Sequence, residues 1–538
     1  MASRAKGPAS AAILNVSTCW TLKIAVMVSL FAFLWYASGA AYAGASAVST
    51  YHRAFGNAAD VFVAETGYVL AALDSKKDSR PAGIQVFSLA SGYANPCGGR
   101  KIINFERLGI GITSVDGIQI FPDRYLQIGT LKKSIGAAVE QQGAEFLVAD
   151  LRTCAIDKIG AVNVQQPPVE TSGCGGANQP QCAPGTFNLA TASKFLGFLE
   201  YAFVANEYGK PLNPSVNVVN GKQQHGTVGI ISVIRDFSGR FTQGTGPLFL
   251  NRYIYVPGAN TIPGVTISHN GKYLYVVNEG TADGTYPRGS RYYKQKYHNP
   301  TGIKNGDLAT QSCVNEYGYS ENKTRNGVLT IIDVDKAISG WGQLSIIQTI
   351  AAGCSPVRVV ERADGKYIFV ATRGGNPINS PAKPSGNPIP AEPPPGSVGR
   401  ILVFDVSRLA ANPNSALVNV IRDSGGTQPV GMTLLDNNRM LAVANSNRYS
   451  QTGKTGITSV AIFDVRNPAT VKRPEVVCRS PNPFSFPRGV TSDGTSIFVA
   501  NFGTNISGKN FGGALQVITF NDGPASSCTV GPYPAAPN

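Results

Sequence analysis

Hydrophobic and polar positions alternate along most of the chain in short runs, each closed by Gly, Pro, Asn or Asp. The clearest unit is Ile262–Gly280: an alternating strand, an Asn270-Gly271 turn, and a second strand running through Val276-Val277-Asn278. That pattern predicts a β-hairpin, because an Asn-Gly pair supplies the left-handed turn that matches strand twist. A related phrase recurs at Pro356–Gly374, Pro429–Asn447 and Pro487–Gly503. One hairpin cannot bury its own apolar face, so the recurrence predicts an array of small sheets packed on one another.

Reading for the strand ending Val-Ala-Asn or a close variant gives seven copies: Val63-Ala64-Glu65, Val148-Ala149-Asp150, Val204-Ala205-Asn206, Val276-Val277-Asn278, Val370-Ala371-Thr372, Val443-Ala444-Asn445 and Val499-Ala500-Asn501. A third strand follows most of them, as in GIQVFSL from Gly83, GIISVIR from Gly229, GVLTIIDV from Gly327, GRILVFDV from Gly399, SVAIFDV from Ser459 and ALQVITF from Ala514. The predicted fold is all-β, a seven-bladed β-propeller of four-stranded antiparallel blades over residues 60–522. A lead-in at 44–59 precedes it and a tail at 523–538 follows. Insertions fall at 164–188, 286–326 and 374–399, the first and last Pro-rich and the second rich in Tyr and basic residues. Closure is expected where the last copy and the ALQVITF strand meet the first blade.

The first 43 residues read as a targeting segment. Arg4, Lys6 and Lys23 precede an apolar run from Ile24 to Ser38, and Ala41-Tyr42-Ala43 forms a small-residue cleavage pattern. The run is short for a membrane span, which needs roughly 20 residues. Cleavage after Ala43 is therefore the expectation, with a retained anchor as the alternative. Cleavage takes three from the net charge of +15, leaving +12. The remaining basic residues are mostly scattered singly, which argues against a nucleic-acid partner and against membrane attachment of the mature chain. The mature chain is expected to be secreted or periplasmic, and a monomer.

Of the nine cysteines, only Cys19 lies in the presequence. The other eight suit disulfides in an oxidising compartment, and proximity in sequence suggests Cys97–Cys154, Cys174–Cys182, Cys313–Cys354 and Cys478–Cys528 among the 105 pairings that eight cysteines allow. Asn322 and Asn505 are glycosylation acceptors in a eukaryotic host.

The quoted hairpins resemble those of the seven-bladed lactonase-like propellers, the YVTN repeat family. The match is closest at Tyr275-Val276-Val277-Asn278 after Asn270-Gly271-Lys272, and at Pro356-Val357-Arg358 before Ala363-Asp364-Gly365-Lys366. The resemblance covers about residues 60–522. It implies a propeller fold and, for function, a range that includes bacterial phosphogluconolactonases and fungal carboxymuconate-lactonising enzymes. Similar secreted fungal propellers act as hetero-Diels-Alderases. The presequence, the eight mature cysteines and the long loops depart from the intracellular lactonases.

The charged residues that follow the strand endings are candidates for a site at the channel. These are Glu65, Asp150, Glu207, Glu279 and Arg373, since charges near the axis must be paired or hydrated. Asn278, Asn445 and Asn501 are ligand-binding candidates, with hydrogen bonding to nearby backbone as the structural alternative. Arg358 and Arg488 follow the repeat Pro and could hold a carboxylate or a polarised carbonyl through a planar fork of donors, or bridge two blades. Glu279, Arg373, Arg358 and Arg488 form the catalytic set. The tyrosines at 286, 292, 293, 297, 317 and 319, with Trp341, either cover the mouth or pack on the propeller's side.

No nucleophile elbow, nicotinamide fingerprint or His/Cys metal cluster is present in the sequence, and no cofactor or metal is expected. Two functions fit these residues. One is an enzyme acting without redox cofactor on a small organic molecule in the central channel, by lactone ring chemistry or a templated cycloaddition. The other is a non-catalytic propeller that binds a glycan, peptide or envelope component.

Overall fold

In the computed structural model, the described residues lie between 45 and 534; excluded are 1–44, 65–66, 75–82, 99–101, 105–109, 119–124, 133–144, 153–154, 164–185, 195–198, 210–224, 235–247, 257–261, 279–296, 299–326, 354, 375–398, 436–437, 448–456, 484, 504, 507–508, 511, 523–526 and 535–538. Among them are seven antiparallel sheets of at least four strands, beside one two-stranded ribbon. The inner strands are, from blade 1 to blade 7, Asn57–Ala64, Ile110–Ile118, Thr186–Lys194, Gly264–Ile267, Pro356–Glu361, Pro429–Leu435 and Pro487–Ser492. Each lies against the next, and that of blade 7 lies against that of blade 1. The ring is closed. The structure is a β-propeller, in which radial repetition leaves only short sheet edges.

The cores sit between blades. Phe203, Ile230, Leu274 and Ile332 join blades 3 and 4; Val277, Leu329, Val370 and Phe404 join blades 4 and 5. Further seams of the same kind lie between blades 5 and 6, 6 and 7, and 7 and 1. An alternating strand presents one apolar face to each neighbour, so a strand buried on both sides reads as a continuous apolar run, as in Met440–Asn445.

The third strands end in a repeated device. Asp333 and Asp405 cap the short helices Val334–Ile338 and Val406–Ala411, and Asp464 accepts a hydrogen bond from the Arg466 amide. The next residue donates its amide to the hairpin turn of its own blade: Val334 to Lys272, Val406 to Lys366, Val465 to Arg439. The Asp-Val ends of GVLTIIDV, GRILVFDV and SVAIFDV thus fasten the third strand to the first hairpin.

Closure differs from the expected boundaries. Ala45–Arg53, within the 44–59 lead-in, is the fourth strand of blade 7 and pairs antiparallel with Ala514–Asp522. Cys528–Val530, within the 523–538 tail, adds in parallel to that strand. The two chain ends therefore complete one blade. Cys478, on the outer strand of blade 6, is disulfide-bonded to Cys528 and ties the closing blade to its neighbour.

Two repeat copies fall on other strands than expected. Val63-Ala64 ends the inner strand of blade 1, whose second strand is Tyr68–Asp74. Val148-Ala149-Asp150 lies on the third strand of blade 2, whose second strand is Tyr125–Lys132. Neither true second strand carries a Val-Ala-Asn ending, so the phrase was matched to the nearest apolar run. In blades 3 to 7 the ending does lie on the second strand.

Among the described residues, no helix is long and apolar enough to cross a membrane. The presequence at 1–43 and the insertion at 374–399, apart from Gly374 and Gly399, are outside the described residues.

Candidate functional site

One face of the ring collects the starts of the inner strands and the ends of the second strands, as pairs such as Pro356↔Thr372 and Pro429↔Asn445 show. A shared turn shapes this face. Ser355, Gln428 and Phe486, each preceding a proline, take left-handed φ values of 52°, 61° and 46°. Their carbonyls accept the amides of Arg373, Ser446 and Phe502, in that order. Such backbone is costly for a non-Gly residue, more so before proline. Its recurrence in three blades ties it to the propeller rather than to one ligand.

Strand register aligns four axial positions. Gly264 pairs with Val277, Arg358 with Ala371 and Gly431 with Ala444, while Gly489 precedes the pair Val490↔Val499. Three of the four are glycine for a reason. A Cβ on Gly431 would lie 1.9 Å from the Arg488 carbonyl oxygen, one on Gly264 2.7 Å from that of Val357, and one on Gly489 2.3 Å from the Asp60 carboxylate and 2.6 Å from the Asp60 Cα. Backbone meets backbone there, as the inner strands converge on the axis.

Blade 5 places Arg358 where the others have glycine. Burial lowers its pKa, while the negative charge of Asp60 works to raise it. Asp60 belongs to blade 1, on the far side of the ring from blade 5. Arg358 is half-buried as a residue, and its guanidinium makes no ion pair or hydrogen bond among the described residues. A cation enclosed by protein, with a carboxylate in electrostatic reach, is the arrangement that holds a carboxylate or polarises a carbonyl.

Arg488, grouped with Arg358 on the basis of sequence, lies one position earlier in register, next to Gly489. Its guanidinium carbon is 5.1 Å from the centre of the Phe502 ring, and Phe502 packs with Ala59 and Phe486. It stacks at the rim, a contact worth on the order of 1 kcal/mol. Arg373 is buried at the same face, at the position of Ser446 and Phe502.

The asparagines join second strands to third strands. Asn206 Nδ2 donates to Thr227 Oγ1 at 3.1 Å, and Asn278 Oδ1 accepts from the Val328 amide at 3.4 Å. Asn445 Nδ2 donates to the Ser424 carbonyl at 2.8 Å and to Ser459 Oγ at 3.1 Å, and Asn501 Nδ2 to Gln516 Oε1 at 3.4 Å. Thr372, at the same position in blade 5, bonds the Arg400 carbonyl through its hydroxyl. Asn206, Asn278, Asn445 and Asn501 are all fully buried.

Glu65 and Glu279 lie outside the described residues, as do the side chains of Asp150, Glu207 and Asn505. So do Asn322, Cys154, Cys174, Cys182, Cys313 and Cys354. Cys97 is disulfide-bonded, to a cysteine outside them. Asp150 sits on a third strand, away from the axis. Asp60, which no repeat pattern singled out, is the carboxylate in electrostatic reach of Arg358. Tyr297-His298 pairs with the outermost strand of blade 4, on the outside of the ring, and Trp341 is 54% exposed in that blade's last connection. Trp341 thus lies off the axis, while Tyr286, Tyr292, Tyr293, Tyr317 and Tyr319 and the side chain of Tyr297 lie outside the described residues. Among the described residues no group of His, Cys, Asp and Glu could hold a metal ion.

The chain matches no protein-family model and no curated protein. Solved structures similar to it include the periplasmic gluconolactonase of Pseudomonas aeruginosa, at 13% identity over 86% of this chain and 98% of that one, with a TM-score of 0.44. A 6-phosphogluconolactonase assigned in Bacteroides uniformis matches at 13% identity over 78% of this chain and 85% of that one, with a TM-score of 0.40. The β-propeller domain of Cps50 from Myceliophteria thermophila matches at 10% identity over 87% of this chain and 98% of that one, with a TM-score of 0.42. The strand pairings and the ring order, not these likenesses, carry the propeller architecture.

Proposed function

We propose that the chain is an extracytoplasmic propeller enzyme that takes a small lactone into its axial channel and opens the ring. The observation that carries this reading is Arg358: a guanidinium without an ion pair among the described residues, at an axial position that is glycine in three other blades, with the charge of Asp60 in electrostatic reach. In this reading Arg358 holds the carbonyl oxygen as it gains negative charge. Asp60 takes a proton from water as the water oxygen bonds to the carbonyl carbon, and returns it to the ring oxygen as the C–O bond breaks. Arg373 and Arg488 at the entry face would draw in acidic substrates. The Cys478–Cys528 disulfide supports a compartment outside the cytoplasm.

A templated cycloaddition would use the same carbonyl donor but no base. Incubating the full mature chain with a panel of γ- and δ-lactones, and separately with extracts of its host, separates the two by mass spectrometry. Ring opening of a lactone by the native chain, abolished in both Arg358→Gly and Asp60→Asn, is the expected result. A product formed without added water and kept by Asp60→Asn would indicate cycloaddition. No consumption of any compound would leave the non-catalytic binding function as the surviving one.

A further inference from the structure

Apart from the axis, the propeller carries a groove of about 460 Å³ where the closing strand of blade 7 crosses into blade 1. Roughly 300–1,000 Å³ is the range of small-molecule pockets. Its walls hold Tyr51, His52, Phe55, Phe87 and Tyr93, with Arg53 among them and no acidic side chain among the described residues of the lining. The rings are fixed by one another: His52 lies 4.5 Å from Tyr93, and Tyr51 5.0 Å from Tyr533, between ring centres. The backbone is fixed as well. Gln85 accepts from the Phe55 amide at 2.9 Å and donates to the Arg53 carbonyl at 3.0 Å, using both ends of its carboxamide to pin the crossing.

The Arg53 side chain carries an unsatisfied donor. Its Nε is sealed from solvent with no hydrogen-bond partner, and its side chain enters no ion pair among the described residues. A buried donor on a charged group is costly unless something accepts from it. Burial also lowers the pKa of His52, and Arg53 is the charged side chain among the described residues of the groove. Flat rings beside a guanidinium whose Nε lacks an acceptor match a flat ligand with one carboxylate, since a guanidinium pairs with a carboxylate through charge-assisted bonds and aromatic faces stack on aromatic faces.

We infer that this groove is a second binding site, separate from the axis, for a small aromatic monocarboxylate. The inference does not depend on the lactonase reading, because Arg53 and Arg358 lie in different blades at different radii.

The test uses trans-cinnamate and its uncharged amide as probes, titrated by calorimetry into the full mature chain, into Arg53→Gln and Arg53→Lys, and into Arg358→Gly. Cinnamate should bind the native chain at least about tenfold more tightly than the amide, since a charge-assisted pair is lost. Arg53→Gln should remove that preference, Arg53→Lys should restore part of it, and Arg358→Gly should leave it unchanged. Equal binding of acid and amide, or no binding of cinnamate at millimolar concentration, would overturn the proposal, and so would a preference that survives Arg53→Gln. Loss of the preference in Arg358→Gly alone would place the carboxylate at the axis and reject the groove. The acid-to-amide ratio is read on the native chain, so it stands even if a variant misfolds.

Discussion

The inner strands of blades 5 and 6 differ at one position that matters. Both begin with proline after a left-handed residue, both pair with a second strand through the same register shift, and both pack beside the next inner strand. Blade 6 then has Gly431 pressed against the Arg488 carbonyl, whereas blade 5 has Arg358. Where a residue type recurs from blade to blade, it answers a demand of the ring. Where one blade departs and the departure encloses a charge that has no ion pair among the described residues, burial works against stability, because a buried charge without a partner destabilises.

The sharpest way to break this comparison is Gly431→Val. A Cβ there meets backbone that cannot retreat without moving blade 7, so a loss of about 3 kcal/mol or more is expected in urea unfolding. Tolerance of valine would mean that the axis is looser than the close approach implies. The Cys478→Ser, Cys528→Ser double variant should lose about 2–4 kcal/mol, for a bond that closes a sequence separation of 50 residues. Its effect should appear in global unfolding and not in the axial site. Asn445→Ala removes two buried hydrogen bonds and should cost about 1–3 kcal/mol while leaving any activity of the folded protein intact. A selective loss of activity would return the asparagine to the site.

The smallest effect concerns the opposite face. Glu361 accepts from Tyr275 Oη at 3.1 Å and from the His269 amide, linking blades 4 and 5. Burial raises its pKa above the ordinary 4.5, against the lowering effect of those hydrogen bonds, and burial likewise raises that of Tyr275. A carboxyl with a raised value in the fold favours the fold most when protonated. Its contribution is full below the ordinary carboxylate range and declines as pH rises through the raised value. Glu361→Gln should therefore flatten the fall of melting temperature with pH upward from 4.5. An unchanged slope would show that the hydrogen bonds, not burial, govern this carboxylate.

The contrast between ring and site also explains what could be read in advance. The third strands of blades 4 to 6 are legible, since Asp333, Asp405 and Asp464 each do their work within a few residues, whereas that of blade 2, Glu145–Arg152, reads as a second-strand copy through Val148-Ala149-Asp150. The hairpin of Ile262–Gly280 was legible because Gly271, at φ 69°, and Asn270 set its turn locally. Blades 1 and 2 were misread where their second strands, Tyr68–Asp74 and Tyr125–Lys132, lack the repeated ending. Closure by Ala45–Arg53 was hidden because its partner, Ala514–Asp522, lies at the other end of the chain. Asp60 was missed for a similar reason. Nothing near it in sequence marks a carboxylate that comes into electrostatic reach of Arg358 only after seven blades have closed. Arg358 was chosen for its charge, but its resemblance to Arg488 was accidental, and its true counterparts are the glycines.

Arg358→Gly tests the central claim most directly, because it gives blade 5 the residue of its neighbours and reads stability and chemistry together. The melting temperature should hold or rise, and turnover of the best lactone substrate should fall by on the order of 100-fold or more, as for the loss of a donor to a developing oxyanion. A lower melting temperature with turnover unchanged would contradict the claim and make Arg358 a structural residue of the ring.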